Sequence, residues 1–516
     1  MPIIYGGAGV VGADDVYVVI KAPTGAAASS GATLRGATVG GAQWGLLNIP
    51  YYNSTPGDLI ANHGLPILNN PAPLVQEAAL FLKQLPLGGV TTIRVDDGTG
   101  LAAAGSIKDA IATPLPKINF TGKNTGTLGN GISISISVGT MPNTLKATVF
   151  TKSNPGEVFD RIPAVGSVAF LVGAINSGNI NTPPSNFVVA AAGTSTVELL
   201  VNDTVALVGA TDGVAGISKA ALLGVDGSQA TRSGVYSLRK KGMDVVWLSG
   251  CTDVTTWSTL TSFAKSETAM AVGNMPIGTT VNAALTALST SGVSDPYFSV
   301  MLGHTVYYDS FLQQNTYVPS APVLAGVCCS LDPSVSPGNK LVSAILGTDH
   351  TFGQTALPFS DLDEAVLQAA GINFIALGIP SAPNALGIRH GKNTSSNPAT
   401  NEIAYTRKTN DLARAFSGAI FGQFVDVPQS TAANDPWREG VRNAGNAYLG
   451  PQVGKQIDSY HVQCDKGNNP DVQVKAGIGQ ADIIVAYLAN VNKFIINLTG
   501  GQTVQVQVSA LNSNAA

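Results

Sequence analysis

Three residues of this sequence are of the types that do hydrolytic chemistry. A serine hydrolase needs a nucleophile, a base within reach of it and an acid that orients the base. "NHG" places His63 before a glycine, "DDGTG" offers Asp97 and "GTST" offers Ser195. No G-x-S-x-G elbow is present to hold a serine on a strained strand-to-helix turn. Ser195 also falls among short strands, apart from the strand–helix–strand text around His63 and Asp97. The remaining histidines, His304, His350, His390 and His461, have neither H-E-x-x-H nor any paired spacing for a metal. All five histidines read as structural. Cys251, Cys328, Cys329 and Cys464 show no C-x-x-C spacing, so no zinc site is expected and they read as thiols, mostly buried. Cys328 and Cys329 are adjacent, and consecutive strand residues face opposite sides. One thiol could then face a subunit contact and crosslink there; a buried pair is the plainer reading. "GAGVVG" (7–12) matches G-x-G-x-x-G, but a dinucleotide site needs a strand before it and a helix after it. Only "PIIY" precedes it and "DDVYVVIKAP" follows as a strand, so it reads as a glycine arm and no cofactor is expected.

The totals narrow the class. At roughly 150 residues per domain, 516 residues imply about three domains. Charged residues are 12%, about half the usual share for soluble domains, and the net charge is -4. No broad basic field is available for nucleic acid. Low charge with positive mean hydropathy suits a surface largely covered by partners, or a β-rich extracellular protein. No stretch of 18 apolar residues exists, so no membrane insertion is expected. "MPIIYGGAGVVGADD" lacks a basic start and a long apolar run, so no secretory signal is expected.

The elements that would position these residues come in distinct blocks. Residues 1–30 form a glycine-rich arm whose strand lies at 14–22. In 31–116, "ATLRGATVGG" reads as strand, "APLVQEAALFLKQLP" (72–86) as helix and "VTTIRVDDG" as strand, an α/β opening. Residues 117–212 carry "GISISISVGTM", "LKATVFTK", "NFVVAAAG" and "TVELLVND", short alternating strands with scarce helical periodicity, as in a β-sandwich. "VAFLVGAI" (168–175) reads as core. From 213 to 379 the α/β pattern returns, through "MDVVWLSG", "AMAVGNMP", a helix over 361–371 capped by Asp361 and stopped by Gly371, and "INFIALGI". The sandwich is therefore an insertion in one α/β domain. In 380–501, "YTRKTNDLARAFSGAIFGQFV" and "DPWREGVRNAGNAYLGPQVG" read as helices, and "DSYHVQCD", "DVQVKAG" and "ADIIVAYL" as strands of an α+β unit. Arg407, Lys408 and Arg414 form either a solvated helix face or a contact face for an acidic partner.

The chain finishes on a strand without an evident neighbour. In "TVQVQVS" Val504, Val506 and Val508 point one way and Gln505 and Gln507 the other. Val16, Val18 and Ile20 of the arm repeat the pattern. Exposed apolar edges invite pairing with other chains, so both termini are expected to add to a sheet of a neighbouring subunit. Residues 502–516 form this second arm.

The order of segments resembles the contractile phage tail sheath family, over nearly the whole chain. "GATVGGAQWGLLNIPYYNSTPGDLIANHG" is similar to that family's first strand and glycine–proline loop. "GKNTGTLGNGISISIS", with Gly126, Gly129 and Asn130, resembles the start of its inserted sandwich, and "GATDG" the exit. "VPSAPVLAGVCCSLDPSVSPGNK", "LQAAGINFI", "YTRKTNDLARAF" and "QCDKGNNPDVQVKAG" follow in the family's order. The resemblance implies a subtilisin-like α/β fold without a catalytic triad; the order His63, Asp97, Ser195 is itself not the Asp, His, Ser order of subtilases. It implies a structural subunit and not an enzyme, stacked in six-fold rings around a tail tube. The lattice contracts to drive the tube through the host envelope. The implied partners are other sheath subunits, the tail tube protein, and baseplate and tail terminator proteins, in the tail of a virion made in the bacterial cytoplasm. The insertion would face outward and the C-terminal unit inward, with Arg407, Lys408 and Arg414 as its contact to the tube. A sheath of a phage-derived contractile injection system fits the same residues; a serine hydrolase or a surface β-protein are the remaining alternatives.

Overall fold

The computed structural model describes residues 34–85, 88–151, 154–179, 182–353 and 358–492, and the backbone of Ile3–Tyr5 and Val18–Ile20. Its centre is a nine-stranded sheet. From edge to edge it runs Lys340–Leu341, Ala382–Arg389, Ile372–Ile379, Phe298–Leu302, Met270–Asn274, Val245–Leu248, Arg35–Gly40, Gly89–Arg94 and Pro50–Asn53. The six strands from Ile372–Ile379 to Gly89–Arg94 are parallel, and the outer pairings are antiparallel. Parallel strands covered on both faces need unbroken apolar or small residues. "VVWL", "MAVGN" and "FSVML" supply them, and every residue of the three is buried.

Alternation along the strands feeds two cores. Val246, Ala271 and Val300 face a layer that includes helices Trp257–Ser266, Val281–Ser291 and Asp361–Ala370. Val245, Trp247, Val272 and Met301 face helices Leu74–Gln84 and Ala321–Ser330. In "APVLAGVCCS" every residue from Ala321 to Cys329 is buried. A helix apolar all round belongs inside. At Gly326 it touches its neighbour so closely that a Cβ would stand 2.8 Å from the Phe81 carbonyl oxygen. Cys328 and Cys329 are thus consecutive residues of a buried helix, not of a strand, and neither offers an outward thiol. The expected crosslink is corrected accordingly: the run reads as apolar at every position because helices and sheet surround it.

Residues 98–213 leave the large sheet and return side by side. Leu101 and Thr211 exchange backbone hydrogen bonds of 3.1 and 3.2 Å, and Asp97 N–H donates to Gly213 O at 2.8 Å. The insertion has two sheets, one of Ala102–Lys108, Pro116–Thr125 and Val188–Ala192, the other of Asn154–Pro163, Thr144–Thr151, Ser133–Val138 and Thr204–Ala206. In "SISISV" Ile134 and Ile136 enter its core with Ile118, Phe120 and Phe159. Two expectations change here, and the run expected as core proves helical. The β unit includes Ala102–Lys108, ahead of the expected start at 117, because that strand pairs with Pro116–Thr125. "VAFLVGAI" lies in a helix, Ser167–Ser177, that buries Leu171, Ala174 and Ile175 against the sheets. "TVELLVND" forms no strand, because Glu198 turns inward to accept hydrogen bonds from Gly166 N and Ser167 Oγ.

The C-terminal unit has helices Ile403–Ala415 and Pro436–Leu449 and an antiparallel pair, Ile457–Gln463 with Asp482–Tyr487. The large sheet runs past the expected limit of 379, since Ala382–Arg389 folds back on Ile372–Ile379. "DVQVKAG" is a short helix, Asp471–Lys475, not a strand. Pro470 precedes it with a φ suited to helix entry, and Val472 has no face to bury. The helix at 361 is capped by Ser360, in a box with Asp363, and not by Asp361.

Two predictions follow from the packing. Gly326→Ala forces the two helices apart and lowers stability by about 1–3 kcal/mol, read by thermal unfolding; an unchanged midpoint contradicts the close approach. Glu77 is buried between Trp247 Nε1 (2.8 Å) and Gly250 N (2.7 Å), and burial pushes its carboxyl from 4.5 up to about 8. The folded chain then binds more protons than the unfolded chain between these values, so this group's contribution falls as pH rises through them. Urea unfolding at a series of pH values should give a flatter decline between about pH 4.5 and 8 for Glu77→Gln; equal slopes contradict it.

Candidate functional site

The hydrolytic residues do not converge. His63 ends helix Pro56–His63, with Nε2 2.6 Å from Thr92 Oγ1 and Nδ1 3.4 Å from Trp44 O. Burial lowers its pKa to about 4, so the ring is neutral. Asp97 accepts from Thr99 N and Oγ1, at 2.9 and 2.6 Å, and from Gly216 N at 2.8 Å. Ser195 lies in the insertion, where Oγ accepts from Val197 N at 3.1 Å. Each is bound to a different part of the fold.

The basic residues of helix Ile403–Ala415 also turn inward. Arg407 donates to the carbonyls of Cys328, Leu331, Asp332 and Val335, three residues of the following turn and one of the buried helix. It thereby satisfies the C-terminal carbonyls that a helix end leaves open, where positive charge also favours the dipole. Lys408 is buried with Asp411 Oδ2 (3.3 Å), Gln452 Oε1 (3.3 Å) and Gln456 Oε1 (2.6 Å). Burial lowers its pKa, and Asp411 opposes that. Arg414 pairs with Asp244 and donates to the carbonyls of Met243 and Thr268, fastening the helix to the sheet. The expected outward contact face is therefore not formed by these three heads. They serve the junction between the sheet and the C-terminal unit.

The same junction holds polar residues that the sequence reading missed. Asn274, at the end of its strand, accepts from Ser320 N (2.8 Å) and Ala321 N (3.1 Å) and so caps the start of the buried helix. Lys392 pairs with Glu402, and Asn373 receives Lys392 N at 2.7 Å. "GNMP" at 273–276 and "GIN" at 371–373 flag these asparagines only as turn residues.

What stays open is strand edge. Ile457–Gln463 and Asp482–Tyr487 form a sheet of two, and among the described residues neither pairs with a further strand, Val453 making one isolated bridge to Ile457. One face packs Ile457, Val462 and Val485 on Leu412, Phe416 and Leu449. Tyr487 stacks on Tyr405 at 5.2 Å and its hydroxyl lies 2.8 Å from Thr409 Oγ1. On the other face Ile484 is exposed. A two-stranded ribbon with both outer edges unpaired can take a further strand on each side through backbone hydrogen bonds. The arm residues Val18 and Ile20 belong to a three-residue strand that pairs in parallel with Ile3–Tyr5 of the same chain, Val18 opposite Ile3 and Ile20 opposite Tyr5. Val16, Val504, Val506 and Val508 lie outside the described residues.

Replacing Arg407 by Met should lower stability by about 3 kcal/mol, since it removes a buried charged donor shared by four carbonyls at the end of the buried helix. Thermal unfolding of the folded subunit checks it. A variant with wild-type stability contradicts the assignment and returns Arg407 to a surface role.

No protein-family model matches the chain, and no curated protein matches it. Solved structures do. The sheath tail protein Lin1278 from Listeria innocua aligns over 89% of this chain and 96% of its own, with a TM-score of 0.58 at 15% identity. The sheath tail protein DSY3957 from Desulfitobacterium hafniense aligns over 87% and 93%, with 0.52 at 15%. The helical sheath of the anti-feeding prophage in its contracted state aligns over 95% and 100%, with 0.50 at 10%. At such identities the likeness is one of fold: over about nine-tenths of its length the chain has the fold of tail sheath proteins.

Proposed function

We propose that the chain is the structural subunit of a contractile phage tail sheath. Subunits stack as six-fold rings around a tail tube, and contraction of the lattice drives the tube through the host envelope. The observation that carries this reading is the alignment over almost the full length of both chains with a sheath tail protein. The two-stranded sheet with open edges supports it, because a lattice that slides while staying linked needs a shared, backbone-bonded connection. The N-terminal arm and residues 502–516 are the strands that would add to a neighbour's sheet, the valine face of the latter turned inward. The tube, baseplate and terminator proteins are the remaining partners, and the virion tail is the location. The work comes from a metastable lattice, so no cofactor and no hydrolysis belong to this reading.

A second reading has its own support. The anti-feeding prophage sheath aligns over the whole of its chain, and a phage-derived contractile injection system would use the same subunit. The genes beside this one distinguish them, a head and packaging set in one case and a toxin cargo in the other.

Removing residues 502–516 should leave a subunit of unchanged melting temperature that no longer forms tubes in electron micrographs. Tubes of normal length and contraction from the truncated chain contradict the linkage.

A further inference from the structure

The inserted β unit ends in an apolar face that its own core does not use. The chain enters and leaves the insertion at Leu101 and Thr211, and Leu207 N bonds to Ile132 O at the near end of strand Ser133–Val138. Val138 closes the far end. Three contacts gather apolar residues there. Asn202 N donates to Ile136 O at 2.9 Å, which sets Leu200 and Val201 beside Val138. Ala164 N donates to Asn143 O at 3.0 Å, which sets Val165 beside the turn that carries Met141. Glu198 accepts from Gly166 N at 2.9 Å and Ser167 Oγ at 2.6 Å, joining the 197–201 segment to the start of helix Ser167–Ser177. Val138, Met141, Val165, Phe170, Leu200 and Val201 are 43% to 84% exposed. Val165 and Phe170 stand at the two positions that normally pack on each other across a helix start, yet Val165 is the most exposed of the set.

We propose that this tip is a self-association surface, whose occupant is the same tip on a second copy of the chain. Two arguments select that occupant. The first is charge. Charges around these residues balance within the copy: Asp203 pairs with Lys117 Nζ at 2.8 Å, Asp160 feels the charge of Lys146, and Glu198 is held at the helix start by Gly166 N. Arg161 at the rim is adjacent to Asp160. Two identical faces therefore meet without net repulsion, while a strongly charged partner would find no complement. The second is area. The six residues leave on the order of 600 Å² uncovered, the upper end of what a monomer exposes in one patch and most of the ~800 Å² that each partner contributes to a standard interface. A two-fold contact uses one patch twice, so only one such surface is required. The proposal does not depend on the sheath reading: it concerns contacts between insertions, and the arms play no part in it.

The test uses the full chain. Leu200→Cys, treated with a short bismaleimide, should give a covalent dimer on denaturing gels. The wild-type chain and a Val225→Cys chain, whose thiol is equally exposed but on the sheet domain, should give at least tenfold less. Adding Val165→Asp to Leu200→Cys should abolish the dimer with an unchanged melting temperature, because Val165 supports no core. Tube formation, scored in parallel, should persist in the Val165→Asp chain and separates failure of this contact from failure of the sheath reading. No excess of dimer at Leu200→Cys overturns the proposal. So does a dimer that survives Val165→Asp, or binding of the tip to phosphatidylcholine vesicles without dimer, which assigns the face to lipid.

Discussion

The interaction on which the rest depends is the burial of helix Ala321–Ser330 between sheet and neighbours. From Ala321 to Cys329 that helix is buried, so the polar groups at its ends are met largely by protein. Asn274 meets them at the start, from the end of a central strand, and Arg407 at the finish, from the first helix of the C-terminal unit. The caps come from 47 residues before and 79 residues after in the chain. One buried helix thus ties the large sheet and the C-terminal unit together. Arg414 with Asp244, and Lys392 with Glu402, reinforce the same seam with further internal ion pairs. Buried pairs of this kind are weak evidence of stability, but breaking one partner is costly, and that makes the geometry of the seam exclusive.

This rigidity has a consequence for assembly. If the sheet domain and the C-terminal unit keep one relation, motion in a contracting lattice must be absorbed elsewhere. In the proposed function it falls on the contacts between subunits. The open edges of Ile457–Gln463 and Asp482–Tyr487 lie on the rigid side of that division, where a receiving site for strands is best held.

Much of the fold was legible in the sequence, because period and composition agreed with tertiary context. "INFIALGI" is a strand over its full length, and "GISISISVGTM" alternates as a sandwich strand should. The readings that failed share a cause. Cys328 and Cys329 were placed by local apolarity, which does not separate a buried strand from a helix buried on all sides. Arg407, Lys408 and Arg414 read as surface residues because cations usually are; the groups that claim them, the carbonyls of Cys328 to Val335 for Arg407, Gln452 and Gln456 for Lys408 and Asp244 for Arg414, are remote in sequence. "TVELLVND" alternates well, but Glu198 has a better use as the cap of a distant helix. For the candidate site the sequence showed period-2 ends and two of the three strands expected in the C-terminal unit; the third, "DVQVKAG", is a helix. The sequence did not show the self-pairing of Val18–Ile20 with Ile3–Tyr5, since a three-residue parallel pair leaves no pattern.

The account stands or falls on polymerisation. Electron microscopy of the purified full chain tests it most directly. The account predicts striated tubes built of six-fold rings, with density for one added strand on each side of Ile457–Gln463 and Asp482–Tyr487. Monodisperse single subunits at every protein and salt concentration, or tubes in which that two-stranded sheet stays without added strands, would contradict it.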